Sequence, residues 1–227
     1  MKESDLYTPI KKMLEKLNFT AKGEIKGCDI AAIRDDELWI IELKRHLSID
    51  LLYQAMSRQA ISPFVFVAIP RPKRSNRQAL KLLKKLELGL ITVALDSPVV
   101  RAEIVLLPGG AGKYGRRAAI IRKEIQGRVG DTLGGSTGVP ISTAYKERCI
   151  KIACLLNQTA SLSPKELCQH GCEKDAGYIL RNNHYNWFER ISRGRYALTP
   201  NGQIFLKENE NSEVISHYTE YAKNCLI

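Results

Sequence analysis

Several features that are common in proteins are scarce or missing in this sequence of 227 residues. Three of the first five residues are charged and no apolar core follows them, so we expect no N-terminal signal peptide. No run approaches the roughly 20 apolar residues that a membrane-spanning helix needs, and we expect no membrane partner. The six cysteines form no disulfide framework, which favours a reducing compartment, the cytoplasm.

Two ligand-binding motifs are incomplete. Cys168 and Cys172 bracket a histidine, but the paired Cys-x-x-Cys knuckles of zinc modules are missing, so reduced thiols on helices are the better interpretation. The glycine-rich stretch that ends at Lys113 lacks both the glycine spacing of a P-loop and the Ser or Thr after the lysine. The sequence therefore predicts neither a zinc module nor an ATPase.

Positive charge is abundant by comparison. The net charge of +11 favours a polyanionic partner such as nucleic acid, although many basic proteins bind none. Hydrophobic residues make up 44% of the chain and charged residues 26%, which is typical of a globular protein. A chain of this length forms one large domain or two ordinary ones.

The strongest pattern is a predicted β-hairpin. Two apolar runs, residues 30–33 and 38–41, flank a polar turn centred on Asp35 and Asp36. Paired residues in such a hairpin have numbers that add to a constant. The turn therefore fixes which residues of the two strands face each other.

This register sets Asp29 directly opposite Glu42. Facing side chains lie roughly 4.5–5.5 Å apart, and like charges at that distance repel each other. Because side chains alternate along a strand, Lys44 shares the face of Glu42 and Leu43 points to the other face. A divalent cation would relieve the repulsion, since Mg²⁺ binds carboxylate oxygens together with substrate phosphate. The alternative is a surface cluster of salt bridges.

The arrangement of Asp29 with Glu42-Leu43-Lys44 resembles the active-site motif of the PD-(D/E)xK nuclease superfamily, with Cys28 in the position of the proline. The resemblance implies that Asp29, Glu42 and the Leu43 carbonyl bind Mg²⁺ or Mn²⁺. It also implies that Lys44 helps to activate water. Metal-dependent hydrolysis of DNA phosphodiester bonds is the expected reaction.

Four further residues are candidates for the same site. Glu24 is either an extra metal ligand or a solvent-facing strand residue. Relatives often place a glutamine on the helix after the motif, where Gln54 and Gln59 are available, and a spacing of five does not let both face inward. Relatives also take an acid from the first helix, where Asp5 is nearest, although a helix-capping role is favoured for it.

The order of the predicted elements matches the core of this superfamily. We predict, in order, helix 4–17, strand 19–26, the two hairpin strands, helix 48–60, strand 64–69, helix 76–87 and strands 90–95 and 99–107. This is an α/β fold with a restriction-endonuclease-like αβββαβ core and extra strands after it. The predicted nuclease-like domain covers residues 1–107.

A basic loop broken by prolines follows the predicted strand 64–69. It carries four cations that are placed to contact DNA phosphates: Arg71, Lys73, Arg74 and Arg77. The alternative is a solvated loop that leads into a helix.

Residues 108–140 differ in character from what precedes them. Glycine-rich stretches lie at both ends, and between them six Lys or Arg stand against two Asp or Glu. This composition predicts a basic, glycine-rich linker with one short helix at 117–126. Two roles for this segment are open: it contacts a nucleic-acid backbone, or it is a solvated linker without a binding role.

Residues 141–227 resemble a winged helix-turn-helix domain, because three predicted helices precede a hairpin with a basic tip at Arg193. The resemblance implies that Arg181 and Asn182 lie near the DNA on the third helix and that Arg193 and Arg195 lie on the wing. Winged helices also bind proteins, and the near-balanced charge of this part keeps that alternative open.

The whole chain is also similar to one uncharacterised bacterial family that is assigned to this superfamily as phosphodiesterases. The matching segments are 7–11, 23–29, 42–44, Gly127-Arg-Val-Gly-Asp131, Gly134-Gly-Ser136 and 143–145. The resemblance implies a nuclease fold without an established substrate, and a homodimer is one expected way to cut both strands. The alternative function is a catalytically silent DNA-binding regulator that keeps the nuclease scaffold.

Overall fold

The structure is a computed structural model that describes residues 2–74, 76–96, 99–110, 112–132, 134–135 and 143–226. The chain divides into two compact units, residues 1–141 and residues 142–227. In these ranges every helix is too short or too polar to cross a membrane.

The first unit is a mixed α/β fold around a six-stranded sheet. Its elements are a 3₁₀ helix (Glu3–Leu6), α1 (Tyr7–Lys16), β1 (Thr20–Ile25), β2 (Cys28–Arg34), β3 (Glu37–Leu43), α2 (Ile49–Arg58), β4 (Phe64–Pro70), α3 (Arg77–Lys85), β5 (Gly89–Ala94), β6 (Arg101–Leu106) and α4 (Arg117–Gln126). The strands lie in the sheet in sequence order. Neighbours pair in parallel from β3 to β5 and antiparallel elsewhere. The predicted α/β class is confirmed.

Two helices of this unit begin at capping side chains. The Ser48 hydroxyl accepts a hydrogen bond from the Leu51 N–H at the start of α2. The Asn76 side chain accepts from two N–H groups at the start of α3. Each cap satisfies a backbone donor that has no partner within the helix, which fixes where the helix starts.

The sheet has a hydrophobic core on each face. Ile41 and Leu43 of β3 pack on the face that α1 covers, whereas Leu38 and Ile40 pack on the face that α2, α3 and α4 cover. Because the side chains of a strand alternate, Glu42 points to the α2 face. An acid thus lies on a covered face of the sheet, between the apolar residues Ile41 and Leu43.

The β2–β3 hairpin has the predicted register. Ile30 pairs with Ile41 and Arg34 pairs with Glu37. The turn falls at residues 35 and 36, and Asp35 has a positive φ of 48°. The apolar runs and the short polar tip thus determined the pairing, because a slip of one residue would move the apolar side chains to the wrong faces.

The structure differs from the interpretation of residues 108–140 as a linker. Helix α4 packs on β1 and β2 and buries Ala118, Ile121 and Ile125 in the core of the first unit. After α4 the chain passes over β1, as described below. The glycines of this segment are typical of a flexible linker in the sequence, but in the structure they let the backbone pack closely against the first unit. Residues 111, 133 and 136–140 of this segment lie outside the described residues.

The second unit consists of helices and one two-stranded hairpin. Its elements are α5 (Ala144–Asn157), α6 (Pro164–Gln169), α7 (Ala176–Asn182), β7 (Phe188–Ser192), β8 (Arg195–Leu198), α8 (Pro200–Glu208) and α9 (Glu213–Cys225). An isolated bridge pairs Leu162 with Tyr196 of β8. Ser163 and Glu166 form a capping box at the start of α6, so that a sequence signal again sets a helix boundary.

Candidate functional site

Asp29 and Glu42 lie side by side where β2 begins and β3 ends. Each acid comes one residue beyond Ile30 and Ile41, the last pair of the hairpin, and the two acid side chains interact with each other. The Leu43 N–H donates to Asp29 Oδ2 at 2.7 Å. Glu42 is only 2% exposed. The structure therefore brings together the two acids that the hairpin register predicts to face each other.

The electrostatics of the pair reflect burial and mutual repulsion. Burial, followed by the negative charge of Asp29, raises the pKa of Glu42, and Arg58 opposes the rise. Burial also raises the pKa of Asp29, against the Leu43 N–H and the positive charge of Lys44. Two adjacent buried carboxylates favour a cation or a proton between them.

Arg58, the last residue of α2, contacts the pair directly. Its Nε donates to Glu42 Oε1 at 2.6 Å, and its Nη2 donates to the Gly27 carbonyl. Sequence reasoning missed this residue because it looked for a glutamine on the same helix. Arg58 lies one turn after Gln54, so helical spacing alone could have included it among the candidates.

Lys44 lies beside the acids and is bonded to a third one. Its Nζ is 3.3 Å from Glu3 Oε2, and its charge opposes the rise that burial causes in the pKa of Asp29. The acid that the N-terminal helical segment brings to the site is thus Glu3 and not Asp5. The Asp5 carboxylate accepts from the Lys2 N–H at 2.7 Å, which is the capping role favoured for it.

The remaining candidates from the sequence differ in where they lie. Glu24 is on β1 between Gly23 and Ile25, level with the start of β2, and its carbonyl accepts from Arg128. Gln54 is exposed on α2. Gln59 donates to the Leu86 carbonyl at 2.7 Å, so its amide is directed towards the end of α3. Neither glutamine has a described bond to the acids.

The donor set suits a hard divalent cation. Among the residues that the structure describes, no group of three or more His, Cys, Asp and Glu side chains could hold a metal ion. The chain would therefore offer the two carboxylates of Asp29 and Glu42 and a backbone carbonyl such as that of Leu43. Mg²⁺ commonly takes one or two carboxylates and completes its shell with water and phosphate, so the residues present fit it.

A second polar cluster anchors the segment after α4 to the first unit. Asp131 accepts from the Tyr7 hydroxyl at 2.5 Å, from Lys11 Nζ at 2.6 Å and from the Gly23 N–H at 3.0 Å. Lys22 Nζ donates to the carbonyl of residue 129 at 2.8 Å. These bonds tie the chain after α4 to both α1 and β1.

Glycines allow this segment to approach the candidate site. A Cβ on Gly23 would lie 1.9 Å from the Thr132 carbonyl oxygen, and a Cβ on Gly134 would lie 2.3 Å from the Asp29 carbonyl oxygen. No side chain fits at either position. Gly134 therefore lies directly against the backbone of the first acid, Asp29, and Gly135 lies beside Glu3 and Leu43. Ser136 of the same motif lies outside the described residues.

The predicted basic loop is at the surface of the first unit. Lys73, Arg74 and Arg77 are exposed, and Arg71 forms an ion pair with Glu103. A cleft of about 880 Å³ lies beside Arg71 at the ends of β3 and β4, with Arg45 also on its wall. The loop thus presents positive charge near the strand ends that follow the acids.

In the second unit the four predicted DNA contacts differ in their surroundings. Arg181 and Asn182 are exposed at the end of α7, and Arg193 is exposed at the tip of the β7–β8 hairpin. Arg195 instead donates to Ser161 Oγ at 2.9 Å and forms an ion pair with Glu166 at 3.2 Å. Its guanidinium holds the hairpin to the loop before α6. Because these bonds engage the guanidinium, the structure does not favour a contact between Arg195 and a DNA phosphate.

One family model matches residues 91–204, about half of the chain. The match runs from β5 into α8 and includes Asp131 and Gly134, but it begins after the hairpin that carries Asp29 and Glu42 and does not include that hairpin. No curated protein and no solved structure matches the chain. The chain belongs to the family described as "Putative PD-(D/E)XK phosphodiesterase (DUF2161)", in agreement with the resemblance noted in the sequence.

Proposed function

We propose that this protein is a divalent-metal-dependent phosphodiester hydrolase that cleaves DNA. One observation carries the proposal: Asp29 and Glu42 are held in contact on a covered face of the sheet, with Lys44 beside them. Membership of a family described as phosphodiesterases supports the reaction class. The net charge of +11 supports a polyanionic substrate.

In the proposed mechanism Asp29 and Glu42 would hold Mg²⁺ or Mn²⁺, with the Leu43 carbonyl as a further ligand; Glu24, a candidate from the sequence, is not needed for this set. The ion, when bound, supplies Lewis-acid polarisation of the phosphate and a lower pKa of a coordinated water. Lys44 orients the attacking water and offers its ammonium to the negative charge that develops on the phosphate. Glu3, bonded to Lys44 at 3.3 Å, keeps that ammonium at the site.

We further propose that the first unit has the restriction-endonuclease-like core. Its order of helix, three strands, helix and strand, from α1 to β4, agrees with the αβββαβ pattern. An additional helix and two strands then follow. This core would hold the carboxylates on rigid strands, which positions catalytic groups better than loops do.

The second unit would act as a winged helix that binds DNA. Three helices precede the β7–β8 hairpin, and the Leu162–Tyr196 bridge adds a third short segment to it. In this arrangement Arg181 and Asn182 approach the groove and Arg193 contacts the backbone. Arg71, Lys73, Arg74 and Arg77 would contribute phosphate contacts from the first unit.

Two broader features belong to the same proposal. All six cysteines are free thiols, which supports a reducing compartment such as the cytoplasm. Cutting both strands of a duplex would require two active sites, so we propose a homodimer on the substrate. Sedimentation of the full chain with and without a duplex oligonucleotide tests the dimer.

A cleavage assay on the full chain tests the proposed reaction. Wild type with Mg²⁺ or Mn²⁺ should cut DNA, and Glu42→Ala should be slower by at least about a hundredfold, because the ion then loses a ligand. The matched control is Glu37→Gln, which removes an acid that pairs with Arg34 at 3.0 Å at the other end of the same strand and should cut like wild type. Equal cleavage by Glu42→Ala and wild type would contradict the proposal.

A catalytically silent DNA-binding regulator is the second candidate function. The ion pair between Arg58 and Glu42 favours it, because a guanidinium already balances the charge of one acid. If this alternative holds, wild type and Glu42→Ala bind DNA equally and neither cuts single-stranded or double-stranded substrates with either metal.

A further inference from the structure

Arg58 is the cation that contacts the acid pair most closely. The side chain of Glu42 is 3% exposed and that of Arg58 is 21% exposed, so their 2.6 Å bond is largely shielded from water. The second bond, from Nη2 to the Gly27 carbonyl, fixes the guanidinium at the turn between β1 and β2. Arg58 is therefore held between α2 and the hairpin and does not extend into solvent.

The charges at the site are balanced only when a substrate is included. With both acids ionised, Asp29, Glu42 and Arg58 together carry a single negative charge, and the Lys44–Glu3 pair adds none. A divalent cation would convert this to a single positive charge. One phosphodiester group, which carries a single negative charge, would then make the site neutral. The positive charge of the metal-loaded site therefore favours binding of the substrate after the metal.

The chemistry of the guanidinium suits a phosphate oxygen. It is a planar fork of N–H donors that binds phosphate in a bidentate manner. Only Nε is engaged by Glu42, and Nη2 is held by the Gly27 carbonyl. If Glu42 turned its oxygen to a metal ion, Nε would be released while the second bond kept the group at the site.

We propose that Arg58 is a phosphate-binding catalytic residue that gives up its bond to Glu42 when a metal ion binds that carboxylate. Arg58 and the ion then compete for the same carboxylate, and the displaced guanidinium donates to a nonbridging oxygen of the DNA phosphate. This inference rests on the proposed function, since it assigns the cation site to Glu42.

Metal titration without DNA tests the competition. Calorimetry with Mn²⁺ on the full chain should give binding about tenfold tighter for Arg58→Gln than for wild type, because a competing positive charge has been removed. The matched control is Arg34→Gln, which removes an arginine that pairs with Glu37 at the opposite end of the same hairpin and should bind Mn²⁺ like wild type. Unchanged or weaker Mn²⁺ binding by Arg58→Gln overturns the competition.

Single-turnover cleavage at saturating Mg²⁺ tests the phosphate contact. Arg58→Gln should be slower by about a hundredfold, as expected for the loss of one preorganised donor to the transition state. Arg58→Lys keeps the charge and the fold but lacks the planar fork, and should be slower by about tenfold. Cleavage by Arg58→Lys at the wild-type rate would overturn the proposed phosphate contact. This outcome can be read even if Arg58→Gln does not fold.

A third variant separates this inference from the proposed function. Glu42→Gln should lose Mn²⁺ binding. If it binds Mn²⁺ like wild type, the ion lies elsewhere and the proposed function itself fails. If Glu42→Gln loses the ion while Arg58→Gln binds and cleaves like wild type, the metal site stands and only the role of Arg58 is overturned.

Discussion

Asp131 accepts several hydrogen bonds through one carboxylate. Burial raises its pKa, but bonds from Lys11 and Tyr7 outweigh burial and hold the pKa below the ordinary value of 3.8. The folded protein therefore binds this proton less readily than the unfolded chain does. The stabilisation is fully present above the ordinary pKa and is lost as the pH falls through the lower folded value.

Replacing this carboxylate by an amide should destabilise the first unit in a pH-dependent way. We expect Asp131→Asn to lower the free energy of unfolding by about 1–3 kcal/mol at neutral pH, because charge-assisted bonds to Lys11 and Tyr7 are lost. The difference from wild type should shrink once the pH is below 3.8. Urea denaturation across this pH range measures it.

The control for this measurement is Asp96→Asn, which changes an exposed aspartate just after β5. It should change stability by less than about 0.5 kcal/mol at every pH. A constant difference between Asp131→Asn and wild type down to acid pH would contradict the ionic origin of the stabilisation.

Arg58 illustrates what residue-level reasoning on a sequence could not provide. The hairpin register follows from alternation and a short turn, so the meeting of Asp29 and Glu42 was predictable. Which residue of α2 reaches them depends on how the helix crosses the sheet. Gln54, Arg58 and Gln59 occupy nearby positions at the end of one short helix, and its crossing angle is a tertiary property that the local sequence does not specify.

At the scale of elements, the β7–β8 hairpin separates two arginines with different roles. Arg193 is exposed at its tip, whereas Arg195 is bonded to Ser161 and Glu166. We expect Arg193→Gln to weaken duplex binding and to reduce the slope of log K against log salt by about 1, because one phosphate contact is lost. Fluorescence anisotropy at several salt concentrations measures both quantities.

Arg195→Gln serves as the matched comparison within the same hairpin. It should leave the salt slope unchanged and lower the melting temperature of the second unit, since it releases the loop before α6. If Arg195→Gln reduced the salt slope and Arg193→Gln left it unchanged, the roles assigned to the two residues would be reversed.

The elements also show why one segment was misread. Helix α4 was predictable within its observed bounds, but the glycines around it resembled a flexible linker. Glycine is chosen both where a chain is mobile and where another backbone approaches closely, and composition does not distinguish these cases. At Gly23 and Gly134 the structure shows close approach, because carbonyl oxygens occupy the space of a Cβ.

At the scale of the whole molecule, the charge of +11 should make DNA binding strongly dependent on salt. We expect the simultaneous replacement of Lys73, Arg74 and Arg77 by Gln to reduce the salt slope by about 2–3, because the exposed loop then makes fewer phosphate contacts. Anisotropy with the full chain on a fixed duplex measures the slope.

A triple replacement farther along the helix, Lys81, Lys84 and Lys85 of α3 by Gln, controls for the loss of net charge, because these exposed lysines lie beyond the loop. It should reduce the slope by less than the loop variant does. Equal slopes for the two triple variants would show that binding depends on total charge and not on the loop.

The anchoring of the segment after α4 has a consequence for association between chains. β1 is an outer strand of the sheet, and such a strand normally offers its free N–H and C=O groups to a strand of another molecule. Here Asp131 takes the Gly23 N–H, and Arg128 approaches the neighbouring carbonyls. These contacts cover the middle of β1, so we expect a strand of a second copy to extend the sheet along β6, the other outer strand, rather than along β1.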